Sequence, residues 1–277
     1  MINSDLQQEL RSKYNPDGSM LRTLQLNLTD MLIELDRVCK KNGINYWLDM
    51  GTLLGAARHK GFIPWDDDLD VCILKSDRKK LKKALKKDLN PPFSFVDANT
   101  KDGRPRRWAR VINNSIIVSR VADISEETGE KNIRDEKLWL DVFLLINATV
   151  ETSKKVDRFF GRCYRRRHKL INDGKFKHII GVCLFPIAQL MAMIVTAWGK
   201  LFRRNYLVFD FSSGFYYQRK ADEIYPLGEL EFEGHRFPAP CNYDKYLNRI
   251  YGDWKKIPDN IYNHNIFQIK NTDSAYI

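Results

Sequence analysis

Four aspartates crowd into five positions at Asp66-Asp67-Asp68-Leu69-Asp70, with Phe62-Ile63-Pro64-Trp65 before them and Val71-Cys72-Ile73-Leu74 after them. An acidic run is ordinarily a solvated loop. Here the apolar flanks pull it toward the interior, and buried charges need partners. A strand through the cluster would put Asp66, Asp68 and Asp70 on one face and Asp67, Leu69, Val71 and Ile73 on the other. Carboxylates gathered on one face repel one another and raise their own pKa values unless a cation sits between them. Magnesium, or manganese in its place, suits such an oxygen-only donor set and recruits one or two carboxylates together with substrate phosphates. The expectation is a divalent-metal site with Asp68 and Asp70 as ligands, Asp66 in support and Asp67 turned away.

Asp141 is the lone charge in the apolar run 138–146, which reads as a strand buried on both faces. If that strand neighbours the acidic one, Asp141 becomes a third carboxylate at the metal, either completing its shell or taking a proton. The competing reading is a core aspartate paired with an arginine.

Periodicity places these residues. Leu24, Leu28, Met31, Leu32, Leu35 and Val38 recur at three- and four-residue spacing and predict a helix over 21–41, stopped by Gly43. Residues 45–49 read as a short strand, 53–58 as a short helix, and 77–87 as a lysine-rich helix capped by Ser76. Further strands are expected at 93–96, 108–112 and 116–121, the last two separated by a turn at Asn113-Asn114. For 277 residues this gives a helical segment at 1–42, a catalytic α/β core at 43–150 and a helical portion at 151–277.

The formal charge of +11 calls for an anionic partner: nucleotide phosphates, anionic lipid or nucleic acid. A catalytically inert nucleic-acid binder would use the basic stretch 154–177. That stretch lacks interleaved aromatic platforms beyond Phe159, Phe160 and Tyr164, so no nucleic acid is expected. Five cysteines without a CxxC pair point to reduced thiols and no zinc, and no signal peptide is visible, so a cytoplasmic setting is expected. Residues 179–199 carry no charge, reach the length needed to span a bilayer, and are flanked by basic residues on both sides. Basic flanks at both ends oppose a simple crossing. The expectation is a helix or bent hairpin lying in an anionic membrane interface, peripheral on the inner face of the cell membrane; a buried helix of a soluble core competes.

Residues 46–73, YWLDMGTLLGAARHKGFIPWDDDLDVCI, closely resemble the LicD family, which includes the fukutin-like proteins. The resemblance extends to Asn15-Pro16-Asp17-Gly18-Ser19, Leu21-Arg22 and Gln25, to Leu140-Asp141-Val142-Phe143, and to Phe232-Glu233-Gly234, Phe237-Pro238-Ala239-Pro240, Asn242-Tyr243-Asp244 and Tyr251-Gly252-Asp253-Trp254. It weakens between 151 and 228. It implies a nucleotidyltransferase-like mixed sheet with flanking helices. It also implies transfer of a phosphorylated alcohol, phosphocholine or a polyol phosphate, from a CDP-activated donor to a hydroxyl of a cell-surface glycan or its lipid-linked precursor. Asp68 and Asp70 match the metal-binding Asp-x-Asp pair, Asp141 the third carboxylate, and Gly51-Thr52 the turn that meets the donor phosphates.

Read physically, Gly51 allows close backbone approach and the helix after it offers free N–H groups, though an ordinary turn competes. Arg58 can grip a phosphate through its planar fork, while His59 is as readily structural as catalytic. Asn242, Asp244, Asp253 and Trp254 suit base stacking or acceptor binding, against the alternative of helix packing. A rival within enzymes is a nucleotidyltransferase making or using a CDP-alcohol, because one metal site serves attack at either phosphorus.

Overall fold

The computed structural model describes residues 3–97, 108–124, 131–168, 175–211, 213–258, 261 and 266–271. Two helices lead. In α1 (Ser4–Tyr14) the Asn3 side chain accepts from the Leu6 N–H, and in α2 (Met20–Lys41) Ser19 accepts from the Arg22 N–H. The six periodic apolar residues of α2 are all buried, and Gly43 (φ 57°) ends the helix in the left-handed region.

The sheet then begins with β1 (Tyr46–Leu48), followed by α3 (Met50–His59) and β2 (Asp70–Leu74). Next come α4 (Arg78–Asp88), which buries Leu81, Ala84 and Leu85, then β3 (Phe93–Val96), β4 (Ala109–Ile124) and β5 (Lys131–Asn147). Two long helices follow, α5 (Val150–His168) and α6 (Lys175–Phe202). After them come β6 (Tyr206–Phe209), β7 (Arg219–Lys220), the short α7 (Ala221–Ile224), the hairpin β8 (Gly228–Phe232) and β9 (His235–Ala239), α8 (Tyr243–Tyr251) and β10 (Ile266–Asn271).

Eight strands form one mixed sheet in the order β1-β2-β5-β4-β10, with β3 beside β4 and β6 and β7 continuing from β5. β2 and β5 pair in parallel; the other ladders are antiparallel. That one parallel pair sets Asp70 directly opposite Asp141. Successive residues Leu138, Leu140, Val142, Phe143, Leu144 and Leu145 are buried, so both faces of β5 are covered. The chain after 150 is helical through α5 and α6 and then returns strands to the sheet.

Three local expectations change. The strand starts at Asp70, leaving 66–69 as a loop after a turn at Pro64-Trp65, so strand alternation does not govern the acids. Ser76 caps nothing, because a 3-10 turn at Lys75–Asp77 precedes α4. The strands foreseen at 108–112 and 116–121 are one strand with a register shift, and Asn113 and Asn114 bond to the Ser115 N–H and the Pro92 carbonyl instead of turning the chain.

Candidate active site

Past β1 the chain enters α3 through Asp49, which is fully buried. Its Oδ1 accepts from the Tyr246 hydroxyl at 2.8 Å, and its Oδ2 accepts from Arg219 Nη2 at 2.6 Å and Cys72 Sγ at 2.8 Å. Arg219 is equally buried and lies 4.0 Å from the centre of the Phe209 ring. Burial works against the guanidinium charge, but the Asp49 carboxylate overrides it and leaves the pKa above its ordinary value. The Tyr246 phenol and Cys72 thiol are both pushed well up, chiefly by burial. Committed sideways in this way, Asp49 makes no side-chain cap on α3, and the first-turn N–H groups are left for another acceptor. Met50 follows at φ 49°, a left-handed conformation costly for a side chain and held by the packing around it.

The acidic loop is tied down by residues from distant parts of the chain. Gln25 of α2 donates to the Asp66 carbonyl at 2.9 Å and accepts from Asn15 at 2.7 Å. Glu233, in the β8–β9 turn, accepts from the Phe62 N–H at 3.0 Å and from Arg22 at 2.7 Å. Thr52 Oγ1 accepts from the Asp70 N–H at 2.9 Å, fastening the start of β2 to α3 and leaving the hydroxyl proton to donate elsewhere. Gly51 admits the Asp66 carboxylate: a Cβ there would stand 2.8 Å from Asp66 Oδ2.

Held this way, Asp66, Asp67 and Asp68 each bring an oxygen within 4.8 Å of the others. Asp66 and Asp67 are buried, and Asp68 is the most open of the three. Asp67 therefore faces the cluster, contrary to the strand-based expectation, because the segment is a loop. Asp70 is partly buried, and loss of solvent, followed by the charges of Asp68, Asp141, Asp66 and Asp49, pushes its carboxyl well up. An all-oxygen cluster beside a carboxyl whose charge its neighbours oppose is chemically matched to a divalent cation. The cluster can hold a metal ion.

Asp141 stands where the strand argument put it, beside Asp70, and it also carries the arginine pairing of the competing reading. Its Oδ1 accepts from Arg110 Nε at 2.6 Å and Trp108 Nε1 at 2.9 Å, and its Oδ2 from Trp139 Nε1 at 3.2 Å. Counting lone pairs, Oδ1 is filled and Oδ2 keeps one.

Arg58 and His59 are both buried, and the Arg58 guanidinium foreseen as a phosphate grip is engaged within the fold. The Arg58 guanidinium donates to the carbonyls of Trp254 and Lys256, each at 3.0 Å, and to His59 Nε2 at 2.9 Å. Arg58 thus fastens the C-terminal motif to α3. Since His59 Nε2 accepts, the ring proton is on Nδ1 and is donated to Gln7 Oε1 at 2.7 Å. Burial, with Arg58 and Arg11 adding to it, pushes His59 down to about 3.

A base depressed in the fold is protonated first in the unfolded chain, so its contribution is intact above pH ~6.5 and is lost as pH falls toward the folded value. On acidification from pH 7 to pH 5, denaturant melts will show a loss of about 2 kcal/mol from this group. His59→Asn will be weaker at pH 7 but flatter across that interval.

The C-terminal motifs make contacts within the fold. Asn242 caps α8, Asp244 pairs with Lys255 at 3.1 Å, Asp253 is exposed, and Trp254 is buried with its carbonyl on Arg58. Tyr251 was not foreseen. Its phenol is pushed well up by burial and then by the charges of Asp49, Asp70 and Asp66. Asp49 was equally missed, yet it ends an apolar strand just as Asp141 interrupts one. Arg219 and Glu233 lie in polar stretches that give no such signal.

A mixed sheet with an acidic loop entering a strand, a second carboxylate on its parallel neighbour and an uncapped helix N-terminus alongside define a nucleotidyltransferase-type phosphotransferase. Residues 43–141 match the LicD/FKTN/FKRP nucleotidyltransferase domain, so this part of the chain is a domain of that kind. The chain is an enzyme of the LicD-type phosphotransferases. It is 21% identical over 266 residues to the lipopolysaccharide cholinephosphotransferase LicD of Haemophilus influenzae, covering 86% of this chain and 92% of that protein. Over 40 residues it is 52% identical to the human ribitol 5-phosphate transferase FKRP, which is 14% of this chain and 8% of that one. An uncharacterized protein of Rickettsia prowazekii is 40% identical over 80 residues, 29% of each chain.

Proposed function

We propose that this chain transfers a phosphorylated alcohol, phosphocholine or a polyol phosphate, from a CDP-activated donor to a hydroxyl of a cell-surface glycan or its lipid-linked precursor. The observation that carries the reading is the meeting of the acidic loop, the Asp70 and Asp141 pair and the uncapped start of α3 at one end of the parallel strands. The likeness to a cholinephosphotransferase along most of the chain, and to a ribitol 5-phosphate transferase over a short stretch, supports phosphoalcohol transfer.

The backbone N–H groups at Gly51 and Thr52 and the Thr52 hydroxyl orient the donor phosphates. Magnesium or manganese among Asp66, Asp68 and Asp70 supplies charge neutralisation on those phosphates when bound. Asp67 lends its charge to the same cluster. The acceptor oxygen attacks the phosphorus that carries the alcohol, the bond to CMP breaks, and the acceptor proton passes to the remaining lone pair of Asp141 Oδ2. Trp108, Arg110 and Trp139 hold that carboxylate in one orientation.

Incubation with CDP-choline or CDP-ribitol and a glycan acceptor, followed by chromatography, tests the reading. CMP and a phosphoalcohol ester on the acceptor are expected in equal amounts. Pyrophosphate released from CTP and a phosphoalcohol, with no CMP, would instead assign the chain to CDP-alcohol synthesis.

A further inference from the structure

The helix α6 has two opposed apolar faces, and the protein covers one of them. Phe185, Ala188 and Ala192 are buried against Val156 and Phe160 of α5 and Val208 and Phe211 beyond the helix pair. Gly199 continues this inner stripe, and a Cβ there would collide with the Asn147 carbonyl, so the helix lies directly on the end of β5. On the outer side Ile187, Leu190, Ile194, Trp198 and Leu201 recur at three- and four-residue spacing and are 53%, 57%, 59%, 50% and 60% exposed. Met193, 68% exposed, widens that arc.

At 100° per residue the outer stripe is centred opposite the inner one. An arc of large apolar side chains this long marks a contact surface. No charge interrupts it between 179 and 199, and it ends at the exposed basic residues Lys200, Arg203 and Arg204. The adjoining α5 exposes Lys154, Arg158 and Arg162 as well.

Cys183–Phe202 is long and apolar enough to cross a bilayer. Crossing would strip the inner face from its packing on α5 and β6, so the helix is anchored to the body of the protein. An apolar arc beside a basic border has the chemistry of a helix lying in the headgroup region, where apolar burial and attraction to anionic lipid add.

We propose that the outer face of α6 seats in the interface of an anionic phospholipid bilayer with the helix axis along the membrane plane. That location brings the enzyme to lipid-linked acceptors, a consequence that rests on the proposed function; the docking itself does not.

The test uses the full chain, without donor or metal, sedimented with vesicles of phosphatidylcholine alone or mixed with phosphatidylglycerol. The chain should pellet with the mixed vesicles, less with phosphatidylcholine, and less again in high salt. The paired changes Leu190→Glu with Ile194→Glu, and Arg203→Glu with Arg204→Glu, should each weaken binding at least about tenfold. Circular dichroism and transfer to a soluble glycan should stay as in the unaltered chain.

Wild-type protein remaining in the supernatant would overturn the proposal, as would vesicle binding indifferent to Leu190→Glu with Ile194→Glu. A concentration-dependent dimer abolished by that pair, without vesicle binding, would assign the face to a second copy of the chain. Vesicle binding by a chain that transfers nothing would leave the docking standing and remove the proposed reaction.

Discussion

Asp70→Asn will lower transfer by a factor on the order of 10³ and will at the same time raise the melting temperature of the metal-free chain. The two effects share one cause. Asp70 has lost solvent and faces Asp68, Asp141, Asp66 and Asp49, so its ionised form is held against repulsion in the absence of a cation. An amide of the same shape keeps the backbone tie to Thr52, because that bond uses the Asp70 N–H. What it removes is the charge that a divalent ion needs. In EDTA the variant should melt about 2–4 °C above the unaltered chain, the shift expected for ~1 kcal/mol in a protein of this size. Added magnesium should raise the melting temperature of the unaltered chain and leave the variant where it was. A variant that melts lower in EDTA and still transfers would remove the crowding argument.

Arg219→Leu will cost about 3–5 kcal/mol, a fall in melting temperature on the order of 10 °C, because it strands the fully buried Asp49 charge. Adding Asp49→Asn should restore most of that loss, since the amide can still accept from Tyr246 without needing a countercharge. Failure of the second change to restore stability would mean that the guanidinium matters through its packing on Phe209 and not through the ion pair. The ion pair also bears on the chemistry. With Arg219 on one oxygen and Tyr246 on the other, Asp49 leaves the start of α3 uncapped, so the doubly changed chain should be stable yet impaired toward the donor, which a rise in KM for the CDP-alcohol will report.

The parts of this fold legible in the sequence were those specified locally. The α2 stripe follows a 3.6-residue period and is buried residue for residue, and β5 announced itself by an uninterrupted apolar run around one charge. The acids were legible as a site because apolar residues enclosed them. Their geometry was not, since the turn at Pro64-Trp65 replaces the strand that alternation assumed and brings Asp67 into the cluster.

The continuity of β4 was hidden for a related reason: Asn113-Asn114 has the composition of a turn, and pairing with β3 and β5 overrides it. Contacts between remote positions were the least readable. Asp49 and Arg219 are 170 residues apart, and Arg58 meets the Trp254 carbonyl 196 residues away, so neither pairing leaves a local pattern. Asn15, Gln25, Glu233 and Trp254 stand in motifs that carry the family resemblance, and only Trp254 among them suggested a substrate contact. Their contacts in the fold are the ties that hold the acidic loop and α3.

Mn2+ binding, followed by electron paramagnetic resonance in the presence of a CDP-alcohol, asks whether the acidic cluster holds a divalent ion. The unaltered chain is expected to remove the free Mn2+ signal in step with its concentration, and Asp68→Asn and Asp70→Asn, both folded, to leave that signal in solution. Equal Mn2+ binding by all three proteins would contradict that expectation.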